Sequence, residues 1–175
     1  LPALASIRAK YIEAKIYLLT ENKYINFFNR WNIFDFLLSD NRKENFFKSL
    51  NKLFKLRNIQ FDLIIDLQNS QRTSLYNLFF RIFHSAEICS SRPFAHYRYL
   101  TKPQGSETAT SGLFNQLSLI GIKKIDNQNY NWLKVKLKEN PNKPLALIIP
   151  GVSKGANYKQ WQPEKFAKIA KYFED

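Results

Sequence analysis

Short apolar runs alternate with amphipathic stretches along most of this 175-residue chain, and this alternation limits the folds open to it. The clearest repeat begins with the apolar run Phe61–Leu67, passes through Asn69 and Ser70, and enters the stretch Gln71–Phe83. Asn and Ser favour a helix start, because their side chains accept hydrogen bonds from free backbone N–H groups. The sequence therefore predicts a strand, a capping turn and a helix. The residues expected on the buried face of that helix are Leu75, Leu78, Phe79 and Ile82.

The same pattern extends to both sides of this unit. Strands are expected at Ala14–Thr20, Ile33–Leu38 and Glu87–Ser90. Helices are expected at Leu1–Tyr11, around the apolar residues Phe46, Phe47, Leu50, Leu53 and Phe54, and at Thr108–Ile120, which Gly121 ends. Alternating strands and helices predict the α/β class with a doubly wound parallel sheet and right-handed crossovers. Ser91–Gly105 is expected to be a polar loop, and Lys123–Pro144 a linker.

The segment Leu145–Phe166 combines a strand-like run with groups that bind anions. Leu145–Ile149 is unbroken and apolar, as in a strand buried on both faces, and Pro150 and Gly151 end it. A helix is expected from Pro163, so Ser153 and Lys159 lie between a strand and a helix start, where α/β proteins bind phosphates. The segment lacks the Gly-Lys-Ser/Thr of a Walker A loop. A diphosphate site and a solvated lysine loop both remain open.

The charge and the rarer residues restrict the partners. A net charge of +13 favours anionic partners such as nucleic acid, a phosphorylated glycolipid or a membrane surface, although the accompanying Asn, Ile and Phe are also what codon bias would produce. The single cysteine, Cys89, excludes a disulfide framework and is expected to be a small apolar residue at a strand end. The two histidines, His84 and His96, make no metal site. No apolar run approaches the ~20 residues of a membrane span.

Three motifs in order resemble glycosyltransferase family 9, the lipopolysaccharide heptosyltransferase-like enzymes with a GT-B fold. The first is the helix start Leu1-Pro2-Ala3-Leu4 with Ile7, Arg8 and Tyr11. The second is the strand and turn Phe61–Leu67 followed by Gln68, Asn69, Ser70, Gln71 and Arg72. The third is carried by Pro150, Gly151, Ser153, Lys159, Trp161, Pro163, Glu164 and Phe166. A histidine that the family often carries near the helix start placed here at Thr108 is absent.

This resemblance implies an inverting transferase. It implies transfer of a sugar, usually heptose from ADP-heptose, to an anionic lipopolysaccharide inner-core acceptor. The enzyme would be cytoplasmic, near the inner face of the inner membrane, with no metal or cofactor. Ser153, Lys159 and Gly151 would bind the donor diphosphate. The acceptor would meet Gln68, Asn69, Arg72 and Arg98.

The resemblance also implies that the chain is part of a longer protein. Residues 1–122 would be an acceptor-side Rossmann-like domain without its first strand, 123–144 a linker, and 145–175 the first strand and helix of a donor-binding domain. The catalytic aspartate would lie upstream of Leu1, so we expect no turnover from this chain alone. We also expect poor stability, because the first strand would be missing and the strand Leu145–Ile149 would lack its sheet partners. Asp66 is not expected to replace the catalytic aspartate, because an acid at a strand end more often caps a turn. We also expect a gap between Ala14–Thr20 and Phe61–Leu67, where the first strand would lie.

Two other functions fit parts of the sequence. A basic nucleic-acid-binding module would explain the charge and the run Tyr97-Arg98-Tyr99, but the lysines are dispersed and no nucleic-acid motif is present. The other alternative is a glycan-binding protein without catalysis. Under the resemblance, the loop that carries Arg92, His96, Tyr97 and Arg98 could also contact an anionic sugar, and Arg98 is the best placed of them. Nucleic-acid binding would weaken steeply with salt, which separates these two functions.

Overall fold

The computed structural model describes residues 1–40, 53–126, 128–134, 146–152 and 157–173. The chain divides into two compact units, Leu1–Lys134 and Val135–Asp175. The described helices are α1 (Pro2–Lys10), α2 (Asn22–Asn29), α3 (Gln71–Phe83), α4 (Ala109–Ser118) and α5 (Pro163–Tyr172), with a further helical turn at residues 53–56. The described strands are β1 (Tyr17–Thr20), β2 (Phe36–Ser39), β3 (Leu63–Ile65), β4 (Glu87–Ser90) and β5 (Tyr97–Arg98). Short 3-10 turns occupy Asn131–Leu133 and Asn157–Lys159.

The strands of the first unit form two small parallel sheets. In one, β1 pairs with β2, and Tyr17 lies opposite Phe36. In the other, the order is β3-β4-β5, with Ile64 opposite Ile88. The α/β class and the parallel direction of the strands are therefore confirmed. Among the described residues, β1 and β3 do not pair with each other. This agrees with the gap expected between the strands predicted at Ala14–Thr20 and Phe61–Leu67.

The core of the first unit consists of two apolar clusters on opposite faces of β3. Successive strand residues point to opposite faces, and Ile64 packs against one cluster while Ile65 packs against the other. The first cluster, between α3 and β4, contains Leu53, Tyr76, Phe79, Phe80 and Ile88. The second, formed by α1 and the end of α4, contains Ala3, Ile7, Leu117 and Ile122. Helices thus cover both faces of this sheet.

Helix α3 has the predicted bounds but a different buried face. Ser70 caps it by accepting a hydrogen bond from the backbone N–H of Thr73, and the Thr73 hydroxyl accepts one from the Ser70 N–H. Leu75 and Ile82, expected to face inward, are exposed, whereas Tyr76 and Phe80 are buried. The prediction of the buried face was therefore wrong for Leu75 and Ile82 and confirmed for Phe79. Three aromatic residues, Tyr76, Phe79 and Phe80, face the core, and side chains of this kind bury a large apolar area.

Several other predictions need correction or lie outside the described residues. Residues 146–150 form no strand, and Leu147 and Ile149 are 81 % and 74 % exposed. An apolar run becomes a strand only where a partner strand satisfies its backbone, and no described strand lies in this unit. The loop predicted at Ser91–Gly105 contains β5, and α2 was not predicted at all. Of the helix predicted around Phe46–Phe54, only residues 53 and 54 lie within the described part of the chain, and they are helical.

Two aromatic residues attach the end of the first unit to α2. The ring of Trp132 stacks on that of Trp31, with centroids 4.8 Å apart and planes inclined by 10°. Phe27 of α2 meets Trp132 edge-on at 5.2 Å. The backbone carbonyl of Trp132 accepts a hydrogen bond from Arg30 (3.0 Å). Residues 131–134 therefore pack with the first unit. The segment predicted as a linker, 123–144, is thus divided between the two units, with the boundary after Lys134.

Candidate functional site

The turn that follows β3 is built around the carboxylate of Asp66. Its Oδ1 accepts hydrogen bonds from the backbone N–H groups of Gln68 (3.0 Å) and Asn69 (2.9 Å). Asn69 has a φ of 52°, a left-handed conformation that asparagine adopts more readily than most residues. Asp66 therefore holds the turn in shape, and the expectation that it has a structural role is confirmed.

The side chain of Asn69 connects this turn to β4 and α4. Its Oδ1 accepts a hydrogen bond from the backbone N–H of Ser91 (2.8 Å), and its Nδ2 donates to Oε1 of Gln116 (2.8 Å). Gln116 in turn donates from Nε2 to the carbonyl of Asp66 (2.8 Å), and the Ser90 hydroxyl donates to Asp66 Oδ2 (2.9 Å). Ser90, Asp66 and Gln116 are buried. Buried polar groups satisfied in this way fix one arrangement of the surrounding chain.

A cleft of about 560 Å³ opens beside this network, at the carboxyl ends of β3 and β4. Gln68 and Asn69 line it together with Arg92, with Tyr99 and most of residues 101–109, and with Gly112, Leu113 and Gln116 of α4. Ligands of parallel α/β proteins bind at this edge of the sheet. Two of the four residues expected to bind the acceptor, Gln68 and Asn69, therefore lie in one cleft.

Arg92 brings a positive charge to the cleft. Its backbone N–H donates to Ser90 Oγ (2.9 Å) and its Nε to Ser74 Oγ (3.0 Å), which together hold the side chain in place. No carboxylate of the described residues forms an ion pair with it. A guanidinium group carries five N–H donors, so the remaining ones suit a carboxylate or a phosphate bound through two oxygens.

The lining of the cleft also contains an ordered acid, Glu107. Its carboxylate accepts hydrogen bonds from the Tyr99 hydroxyl (2.8 Å) and from Nδ2 of Asn115 (2.9 Å). The bond from Tyr99 is the main reason that the pKa of Glu107 is lowered, and the same bond raises the pKa of Tyr99. Gly112 leaves room for this acid, because a Cβ there would lie 3.1 Å from Glu107 Oε1. Tyr99 and Glu107 thus offer the cleft a fixed hydroxyl and a fixed carboxylate.

Arg72 lies outside the residues that line the cleft. Its Nη2 donates to Oδ1 of Asp40 (2.7 Å), just after β2, and its Nε donates to the Tyr76 hydroxyl. The Tyr76 hydroxyl donates to the other carboxylate oxygen of Asp40 (3.0 Å). The guanidinium and the carboxylate are only 22 % and 16 % exposed. The guanidinium fork expected to meet the acceptor is therefore engaged with a carboxylate of the protein.

The other three residues noted in the loop around Arg92, namely His96, Tyr97 and Arg98, do not line the cleft. Arg98, the fourth residue expected to bind the acceptor, is exposed on β5 and does not line the cleft. His96 accepts a hydrogen bond from the backbone N–H of Ile88 through Nδ1 (3.0 Å), so its ring supports the sheet. The Tyr97 hydroxyl donates to the carboxylate of Glu87 (3.0 Å). Of Arg92, His96, Tyr97 and Arg98, only Arg92 lines the cleft.

The residues expected to bind the donor diphosphate belong to the second unit. Gly151 and Lys159 are exposed, and Lys159 Nζ lies 5.4 Å from the centre of the Tyr158 ring. Trp161 packs against Phe166 of α5, with ring centroids 5.7 Å apart. Ser153 lies outside the described residues. Helix α5 begins at Pro163, as predicted, with Glu164 in its first turn.

Sequence reasoning missed several residues that shape the cleft. Gln116 and Ser90 are buried polar residues whose shared partner, Asn69, lies 47 and 21 positions away, so no local pattern identifies them. Glu107 precedes Thr108, which caps the start of α4. An acid at this position is already explained by its favourable interaction with the helix dipole, so the sequence alone does not mark it as a site residue. Arg92 was recognised within the basic loop, but its position in the cleft depends on the fold.

Comparison with protein-family models, with curated proteins and with solved structures finds no match. Within the described ranges, no helix has both the length and the apolar character needed to cross a bilayer. The same residues contain no group of three or more His, Cys, Asp or Glu side chains suited to a metal ion.

Proposed function

We propose that the chain belongs to a glycosyltransferase similar to family 9 and that its first unit is the acceptor-binding, doubly wound half of a GT-B fold. The reaction would move a sugar, heptose from ADP-heptose, to an anionic inner-core acceptor with inversion. The observation that carries the proposal is the cleft at the carboxyl edge of the parallel strands. There Gln68, from the strand and turn that resemble the family, lies in the same cleft as Arg92.

The chemistry of the cleft fits a sugar that carries a negative charge. Arg92 can bind a carboxylate or phosphate of the acceptor through two N–H groups. Gln68, Tyr99 and Glu107 offer donors and acceptors of the kind that sugar hydroxyls need. The net charge of +13 would also raise the local concentration of an anionic glycolipid and favour an anionic membrane surface.

The two carboxylates in or beside the cleft, Glu107 and Asp66, would not act as the catalytic base. Both oxygens of Asp66 accept hydrogen bonds within the protein, and Glu107 has a lowered pKa, which makes it a weaker base. The base for the acceptor hydroxyl would then come from another part of the whole protein. Ser153, Lys159 and Gly151 of the second unit would stabilise the departing diphosphate, with Lys159 as a mobile point charge.

Binding of an acceptor to the isolated chain tests the proposal. An inner-core oligosaccharide with carboxylate and phosphate groups is titrated into the ¹⁵N-labelled chain. We expect shifts of the backbone resonances of Gln68, Arg92 and Tyr99, and none with a neutral oligosaccharide of the same length. Arg92→Gln should weaken binding at least about tenfold, because a charge-assisted bidentate contact is lost.

Arg81→Gln is the matched control. It removes the same charge from the exposed side of α3, so binding should persist. Equal binding of charged and neutral sugars, or equal effects of the two substitutions, would overturn the proposed acceptor site. Binding to single-stranded RNA that falls steeply with salt and ignores Arg92→Gln would favour the nucleic-acid-binding function instead.

A further inference from the structure

The hydrogen bonds around Glu107 leave this part of the cleft able to accept hydrogen bonds but not to donate them. The Tyr99 hydroxyl donates its single proton to the carboxylate (2.8 Å) and accepts a hydrogen bond from Nδ2 of Asn115 (3.3 Å). An ionised carboxylate carries no donor, and the hydroxyl then offers only a lone pair. Tyr99 and Glu107 together therefore suit a ligand group that donates a hydrogen bond.

The carboxylate of Glu107 keeps its negative charge. The hydrogen bond from Tyr99 is the main cause that lowers its pKa, and the bond from Asn115 acts in the same direction. Within the described part of the chain, no Lys, Arg or His side chain forms an ion pair with it. Lys102 also lines the cleft, but its charge is the weakest of the causes that lower this pKa. A ligand group beside Glu107 therefore meets an acid whose charge is not neutralised.

Arg92 gives the same cleft a group of the opposite kind. A guanidinium donates hydrogen bonds and accepts none, so it suits a carboxylate or a phosphate of the ligand. Arg92 and Glu107 both line the cleft, and these two described residues form no ion pair with each other. A ligand that meets both residues must therefore present an anionic group to Arg92 and a hydrogen-bond donor to Glu107.

We infer that Glu107 determines which anionic sugars the cleft accepts. The substrate class is an acidic saccharide whose anionic group binds Arg92 and whose unsubstituted hydroxyl donates to Glu107. A phosphate on that hydroxyl is rejected, because it removes the donor and places a second negative charge beside the carboxylate. This inference rests on the proposed acceptor site and adds the specificity of that site.

The net charge of the chain favours the opposite preference. A chain with a charge of +13 attracts a ligand more strongly when the ligand gains a phosphate. Weaker binding of the phosphorylated ligand therefore requires a local cause. The carboxylate of Glu107 is such a cause, and its removal must restore the preference for the more negative ligand.

A panel of saccharides that differ by one phosphate tests the inference. The first probe is a disaccharide of a sugar acid and a neutral hexose, and the others carry a phosphate on each free hexose hydroxyl in turn. Each probe is titrated into the ¹⁵N-labelled chain, and the resonances of Gln68 and Arg92 report binding. At least one phosphorylated probe should bind at least about fivefold more weakly than the first, because like charges are brought together. Glu107→Gln keeps the size of the side chain and should abolish this difference.

Two further variants separate charge from position. Glu13→Gln is the matched control, because it removes the same charge from an exposed acid outside the cleft, and the difference between the probes should remain. Tyr99→Phe removes the hydroxyl that holds Glu107 but leaves the charge, so the phosphorylated probe should still bind more weakly.

One more probe gives a measurement on the parent chain alone. It carries an amino group at the position where the phosphate is disfavoured. An ammonium group donates hydrogen bonds and is positive, so it should bind more tightly than the hydroxyl despite the net charge of +13.

The results distinguish this inference from the proposed function. If the unphosphorylated disaccharide binds at Gln68 and Arg92 and no phosphate position is disfavoured, the inference fails and the acceptor site stands. The inference also fails if the difference survives Glu107→Gln, if Glu13→Gln or Tyr99→Phe abolishes it, or if the amino probe binds more weakly than the hydroxyl probe. Binding of no probe would overturn both the inference and the proposed function.

Discussion

Asn69 shows how a single side chain can shape a ligand cleft without being free to bind a ligand. Its amide bonds to Ser91 and Gln116, and its backbone adopts a φ of 52°. Neighbouring Gln68 is exposed, and among the described residues its side chain forms one hydrogen bond, from Nε2 to the Ser70 hydroxyl (3.1 Å). The two residues, equivalent in the sequence-based prediction, therefore differ in what they contribute to stability.

We predict that Asn69→Ala lowers the free energy of unfolding by about 1–3 kcal/mol, because it leaves buried partners without hydrogen bonds. The control, Gln68→Ala, should stay within about 0.5 kcal/mol of the parent chain. Urea unfolding followed by tryptophan fluorescence measures both. Equal effects of the two substitutions would show that the network around Asn69 does not hold the cleft.

Cys89 offers a second test at the scale of one residue. Its thiol is buried, and desolvation is the main reason that its pKa rises from 9.0 to about 11. Since the thiolate is the reactive form, a two-unit rise lowers its fraction at pH 8 about 100-fold relative to the unfolded chain, and burial adds to the effect. We predict slow labelling by a thiol reagent until urea unfolds the chain. Rapid labelling without urea would contradict the packing of β4 against α4.

The same shift gives a pH dependence with a definite sign. The folded state holds the thiol proton more tightly than the unfolded state, so the stabilisation is complete below the unfolded pKa. It should be lost as pH rises from about 9 to about 11. Cys89→Ala removes this contribution and is the control, since its free energy of unfolding should change less across that range.

At the scale of elements, local sequence determined some features and not others. The bounds of α3 and β4 match the prediction, because a helix cap, a regular period and a short apolar run are all local signals. The buried face of α3 could not be predicted in the same way, since residues from both possible faces are apolar. The two-residue β5 exists only because β4 lies beside it. Residues 146–149 show the converse, because no described strand pairs with this apolar segment.

One ion pair links the end of β2 to α3 and can be tested as a contact between elements. Asp40 accepts hydrogen bonds from Arg72 and Tyr76, and the pair is mostly buried. We predict that Asp40→Asn lowers the free energy of unfolding by about 1–3 kcal/mol, because a partly buried guanidinium loses the negative charge of a carboxylate 2.7 Å away. Asp126→Asn, at an exposed acid, should change it by less than about 0.5 kcal/mol. If both variants unfold at the same urea concentration, the ion pair contributes nothing to joining these elements.

For the whole molecule, the sequence predicted the α/β class and the parallel strands but not the network behind the cleft. The alternation of strands and helices is a property of consecutive residues, so a single sequence is enough to recognise it. The contacts of Asn69, Ser90 and Gln116 join segments that are far apart in the chain, and these depend on the completed fold. The cleft could therefore be assigned to the carboxyl edge in advance, but not to Arg92, Tyr99 and Glu107.

The exposed apolar residues of the second unit give the last prediction. Leu147 and Ile149 are 81 % and 74 % exposed, and clustered exposed apolar side chains promote association and dye binding. Leu147→Ser with Ile149→Ser should lower the fluorescence of a bound hydrophobic dye at least about twofold and reduce self-association in sedimentation experiments. The unfolding midpoint of the first unit should not move, because these residues belong to the other unit. The swap Leu147→Ile with Ile149→Leu keeps the apolar surface and should leave dye binding intact. Unchanged dye binding in the serine variant would mean that this segment is covered in solution, and a shifted midpoint would mean that the first unit depends on it.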